Sequence, residues 1–125
     1  MSTSINDFAS GVAVFAAAPP AALTAALTGD PVDLVSADGP CFAVQQVGAF
    51  SEGPTWTGTI EQSANGSTGW AAVAGAAFAA VGGSNDTQVI RFTRTARYVR
   101  YKATVTGSGP SLTLAVLIGE ARKSF

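Results

Sequence analysis

The sequence predicts an all-β protein, an antiparallel β-sandwich preceded by an extended N-terminal arm. Three observations predict it. From residue 32 onward, short apolar stretches recur between turn signals at the spacing of a sandwich or barrel. The segments between them (37–40, 51–54, 64–67, 82–86 and 107–110) each hold Gly, most with Asn, Asp or Pro, which supply the backbone angles of tight turns. Seven strands in the last three quarters of a 125-residue chain leave little room for helix, and the length fits one domain with one core.

Taken in order, residues 1–10 are polar and read as an arm. The division falls at residue 30, with 1–30 as the arm and an Ala/Pro-rich segment and 31–125 as the sandwich. Within the first part, 12–16 has the composition of a short strand. Behind Pro19 and Pro20, 21–27 reads as a single short helix or an extended segment. The strands that follow are 32–36, 41–49, 55–63, 70–73, 87–93, 97–106 and 111–119. Trp56 and Trp70 alternate with polar residues in the manner of core anchors, and Cys41 reads as a small buried residue.

Alternation sorts the two strands that carry most of the basic residues. In 87–93, Ile90 and Phe92 share the inward face, leaving Val89, Arg91 and Thr93 outward. In 97–106, Val99, Tyr101, Ala103 and Val105 point in, opposite Tyr98, Arg100, Lys102 and Thr104. The inward parity changes from even to odd, so 94–96 is a tight connection or a bulge joining two strands. Arg97 then falls at the core boundary, where a buried guanidinium needs a partner, and Glu61 or Asp86 is expected to supply it.

Composition narrows the function classes. Charged residues make up 12% of the chain, about half the usual share, so much of the surface is small and neutral and suits packing against neighbours. Net charge is −1, yet seven of the eight acids precede residue 91 and all seven bases follow from there, an asymmetry that can pair within the domain or between copies. Histidine is absent, which removes the commonest general base and metal ligand. A single cysteine allows no internal disulfide. Asp30, Asp33 and Asp38 match no calcium-loop spacing and suit turn capping. Neither an enzyme nor a cofactor or metal is therefore expected. A mildly acidic domain in which only Tyr98 can stack beside Arg100 is not a nucleic-acid surface. The uncharged run 11–29 is broken by Pro19-Pro20 and lacks flanking cations, and residues 1–10 carry no positive charge, so neither a membrane span nor a signal peptide is expected.

Three stretches go further: VDLVSADGPCFAVQQVGAF, GTIEQSANGSTGWAAVAGAAF and RYVRYKATVTGSGPSLTLAVLIG. The pattern combines Ile60-Glu61-Gln62-Ser63, an Asn65-Gly66-Ser67-Thr68 turn, Trp70, Arg97-Tyr98-Val99-Arg100, and Gly107, Pro110 and Ser111. Over residues 32–119 it resembles a family of small proteins encoded among the head and tail structural genes of tailed bacteriophages. The second half also resembles discoidin-like sandwiches, in which a Ser-x-Asp-Gly turn leads to a Trp and an Ala-Arg-Tyr-Val-Arg strand follows. Asn65 stands where the phage pattern has Asp, and Gly69 is an extra residue before Trp70.

The resemblance implies a sandwich of jelly-roll or discoidin-like kind and a virion component made in the host cytoplasm. The expected role is a capsid decoration or cement protein that binds the major capsid protein or other virion proteins as a homo-oligomer or in many copies, with no nucleic acid and no membrane as partner. The alternatives are a head-tail connector or tail component, or a carbohydrate-binding module presenting Phe50, Trp56 and Trp70. The expected interface comprises Ile5, Phe8, Val12, Val14 and Phe15 in the arm, Arg91, Arg100 and Lys102 on an exposed basic face, and Arg122, Lys123 and Phe125 at the tail.

Overall fold

The computed structural model describes residues 12–35, 37–51, 54–107 and 109–122. These form β1 (Val12–Leu23), β2 (Leu27–Thr28), β3 (Val32–Asp33), β4 (Ala37–Phe50), β5 (Thr55–Ser63), β6 (Ala71–Ala77), β7 (Asp86–Phe92), β8 (Tyr98–Thr106) and β9 (Leu112–Arg122). All pair antiparallel, in a four-stranded sheet of order β1-β9-β4-β7 and a five-stranded sheet of order β2-β8-β5-β6 with β3 also on β8.

This order is that of a long hairpin rolled up. The strands pair from the outside inward, β1 with β9, β2 and β3 with β8, β4 with β7, β5 with β6. The roll then adds β9 to β4 and β8 to β5. The result is a jelly roll, an all-β architecture that stacks two sheets over one core.

Alternation places the core as the sequence predicts. In β8 the odd residues Val99, Tyr101 and Ala103 are buried, and in β7 Phe92 is buried while Arg91 and Val89 are exposed. The change of parity marks the crossing from one sheet to the other, because facing sheets turn opposite sides of the chain inward. Trp56, Ile60 and Tyr101 from one sheet meet Ala43, Val47, Val116 and Ile118 from the other. One polar chain crosses this interior. Trp56 Nε1 donates to Tyr101 Oη at 2.9 Å, and Tyr101 donates in turn to Gln45 Oε1 at 2.5 Å, so both large aromatic residues keep a partner for their polar ends. Gly58 makes the room, since a Cβ there would collide with the Tyr101 ring and hydroxyl.

The structure corrects the sequence reading in several places. Val12–Leu23 is one edge strand of the sandwich: the strand expected at 12–16 continues through Pro19 and Pro20, the extended rather than the helical reading of 21–27 holds as far as Leu23, and the arm expected at 1–10 lies outside the described residues. Its register against β9 shifts between Ala16 and Ala18 and again between Ala18 and Ala21. Bulges on an edge are where a sheet tolerates prolines, which cannot donate to a ladder. The domain boundary at residue 30 therefore coincides with no structural division. The expected turn at 37–40 is the bulged start of β4, with Gly39 at φ 127°. Trp70 lies just before β6 and is half-buried, and β6 extends to Ala77, bent at Gly75 with φ 74°.

Candidate functional site

Two outer faces of opposite character define what the sandwich can present. On the five-stranded sheet, outward positions are polar: Thr57, Thr59 and Glu61 on β5 stand opposite Thr104, Lys102 and Arg100 on β8. Arg100 pairs with Glu61 at 2.8 Å and lies over the Trp70 ring at 4.2 Å. At the edge, Arg97 pairs with Asp33 at 2.7 Å and sits 5.0 Å from the Tyr98 ring centre. The Arg97 guanidinium holds the Asp33 carboxyl down at about 2.

The four-stranded sheet turns a different face to solvent. Reading across it, one row is Val14, Gly119, Phe42 and Arg91, and the next is Ala16, Leu117, Val44 and Val89. Val14, Val89 and Leu117 are 54%, 59% and 42% exposed, so each leaves roughly 1 kcal/mol of apolar burial unrealised. The Phe42 ring lies against Gly119, where a Cβ would strike it. Further along the same face, a shallow depression is lined by Pro20, Gln46, Gly48, Asn85, Thr87 and Thr113, none of them titratable. An antiparallel sheet with one face to water ordinarily alternates apolar inward and polar outward. Here the outward parity is apolar instead over contiguous residues of all four strands.

The buried ion pair is not where the sequence reading placed it. Arg97 is exposed, and its partner is Asp33 rather than Glu61 or Asp86. Arg94, in the connection between β7 and β8, instead reaches Glu120 on β9, whose carboxylate is 1% exposed. Arg94 Nε donates to both carboxylate oxygens at 3.0 and 2.9 Å, and its other nitrogens donate to the carbonyls of Leu34 and Ala96, each at 2.9 Å. The Cys41 thiol donates to Glu120 Oε2 at 3.1 Å; burial first, and then that neighbouring carboxylate, push it up to about 12. Such a thiol is a packed side chain and no nucleophile. Gln62 Oε1 accepts from the backbone of Thr95 and Ala96 at 2.8 and 3.2 Å and finishes this corner.

The expected interface residues separate. Arg91 lies on the apolar face, whereas Arg100 and Lys102 lie on the opposite one, so they form no common basic face. Val14 faces outward and Phe15 packs against the core. Val12 and Arg122 are the ends of β1 and β9; Ile5, Phe8, Lys123 and Phe125 lie outside the described residues. Two of the early acids pair with late bases within the chain, Asp33 with Arg97 and Glu61 with Arg100. Of the three aromatic residues considered for a glycan, Trp56 is fully buried, Phe50 packs against the core, and Trp70 is half-buried with Arg100 over its ring.

Phe42, Val44 and Leu117 were missed as surface residues, whereas Val89 was expected to face outward and does. The signal for them is in the sequence: 41–44 and 114–118 are apolar on both parities, and a strand greasy on both sides is covered on both sides or meant to be.

No protein-family model and no curated protein matches the chain. Among solved structures, the fold is similar to that of a chain in the structure of infectious bursal disease virus, Gx strain, with a TM-score of 0.51 and 15% identity. The likeness covers 86% of this chain but 30% of that one, so this protein spans under a third of its structural neighbour.

Proposed function

We propose that this chain is a structural protein of a virus particle and, more narrowly, a decoration protein that binds the head shell of a tailed bacteriophage and strengthens it. It acts by binding and performs no chemistry. The observation that carries the reading is the bare apolar face of the four-stranded sheet on a rigid sandwich. The likeness of residues 32–119 to small phage head and tail proteins points the same way, as does a fold shared with a chain of a virus structure. Mechanically, each copy contributes a modest contact, and repetition by the symmetry of the shell sums many of them into resistance to rupture.

The test is addition of purified chain to shells from a virus lacking its gene. Ordered density at fixed shell positions in electron cryomicroscopy, with a higher rupture temperature, is expected. Bare shells at saturating concentration would refute the proposal.

A further inference from the structure

We infer that the Asn65-Gly66 step, in the turn between β5 and β6, is a site of spontaneous deamidation that the folded chain guards through Ser63 and Thr68. The inference stands apart from the virion reading and holds whether or not that reading does. When glycine follows asparagine, no side chain shields the next backbone nitrogen, which then reaches the asparagine side-chain carbon more easily than in any other pair. Here the fold itself demands the glycine. Gly66 has φ 78°, in the left-handed region, and a Cβ on it would press on the Tyr98 ring at 3.0 Å. Asn65 is exposed, so water and hydroxide reach its amide. The chain's other two asparagines, Asn6 and Asn85, are each followed by aspartate, whose side chain hinders the same attack.

In the reaction the Gly66 nitrogen bonds to Asn65 Cγ and the Cγ–Nδ2 bond breaks, Nδ2 leaving as ammonia with the proton lost from Gly66. Water then opens the five-membered imide: cleavage at Cγ gives aspartate, and cleavage at the main-chain carbonyl of Asn65 gives isoaspartate. The native turn opposes the first step at both reacting groups. Gly66 N donates to Ser63 Oγ at 3.1 Å, and Ser63 is 1% exposed; a neutral hydroxyl accepts that hydrogen bond without taking the proton. The Asn65 side chain is tied down through Oδ1, which accepts from the backbone of Ser67 and Thr68 at 2.9 Å each, and through Nδ2, which donates to Thr68 Oγ1 at 2.9 Å. Attack requires these bonds to break, so its rate follows the opening of the turn. Aspartate fits the closed turn, because the two backbone donors want an acceptor and the Thr68 hydroxyl can donate in place of accepting. Isoaspartate adds a carbon to the main chain inside the turn and loses the set.

The experiment ages the full chain in mildly alkaline buffer, folded and unfolded in urea, and follows conversion of each asparagine by mass spectrometry with the site located by fragmentation. In urea, Asn65 is expected to convert well ahead of Asn6 and Asn85, to a mixture of aspartate and isoaspartate. In the folded chain its conversion is expected to be slower by about tenfold or more. Ser63→Ala, checked by its melting curve, frees the Gly66 nitrogen and is expected to speed native conversion about fivefold. Thr68→Val, at an exposed position, frees the side-chain amide and moves the rate the same way, which decides the matter if the Ser63 variant does not fold. Asn65→Asp is expected to melt as the parent does. Equal rates for the three asparagines in urea overturn the site. Equal rates for Asn65 folded and unfolded overturn the guard, and a folded Ser63→Ala protein that converts more slowly than the parent shows that the hydroxyl promotes the attack and overturns its assigned part.

Discussion

Glu120 joins distant parts of the molecule. Its carboxylate holds Arg94 in a forked contact, accepts from Cys41, and through Arg94 reaches the carbonyls of Leu34 and Ala96. Removing one member of a buried pair strands the other, so Glu120→Ala is expected to lower unfolding free energy by about 3–5 kcal/mol in urea titrations. Arg97→Ala, which opens a solvent-exposed pair, should move the melting temperature far less. Cys41 and Tyr101 add a pH dependence. Burial raises the tyrosine hydroxyl from 10.0 to about 12, and burial with the adjacent Glu120 raises the thiol from 9.0 to about 12. A raised folded value means that stability is full below the unfolded value and drains as the unfolded chain ionises first. Melting temperature should therefore fall across pH 9 to 12, and Cys41→Ala should make the fall shallower at its lower end.

Among the elements, β1 departs furthest from its sequence. Composition reads 12–27 as fragments because Ala, Pro and Thr carry little periodicity, and Pro19-Pro20 signals a break. Long-range pairing with β9 makes it one strand, and no local signal encodes a partner nearly a hundred residues away. Deleting residues 2–16 therefore removes Ala13 and Phe15 from the interior and uncovers Ile118 and Gly119 on β9; a clearly lower melting temperature is expected, and an unchanged one would make β1 dispensable. By contrast, β7 and β8 were legible to within a residue at their ends and correct in orientation, because Ile90, Phe92, Val99 and Tyr101 alternate with polar neighbours and report which way they face. The Asn65 turn was legible for a similar reason: its side chain accepts from the backbone of Ser67 and Thr68, both at 2.9 Å, a bond two or three residues away. Arg97 and Arg94 were confused because both flank a crossing between sheets, and which of them turns inward depends on where Glu120 lies in the other half of the roll.

At the scale of the whole molecule, the sandwich has one polar back and one apolar front, and two pairs, Asp33 with Arg97 and Glu61 with Arg100, cancel part of the chain's lopsided charge within itself. What was hidden in the sequence was which strands share a sheet, and therefore that Arg91 and Arg100 belong to opposite sides. The expected fold class stands, and of the expected interface residues Val14 and Arg91 fall on the apolar front while Arg100 and Lys102 fall on the polar back. A rolled hairpin also sets how the molecule meets force. Because Val12 lies beside Ala121 on neighbouring antiparallel strands, tension applied through the two ends would peel β1 from β9 one hydrogen bond at a time, as a zip opens. Load entering sideways through the broad front is shared by many ladder bonds at once. The two directions of pull therefore meet the same ladders in different ways, in sequence from the ends and in parallel from the side.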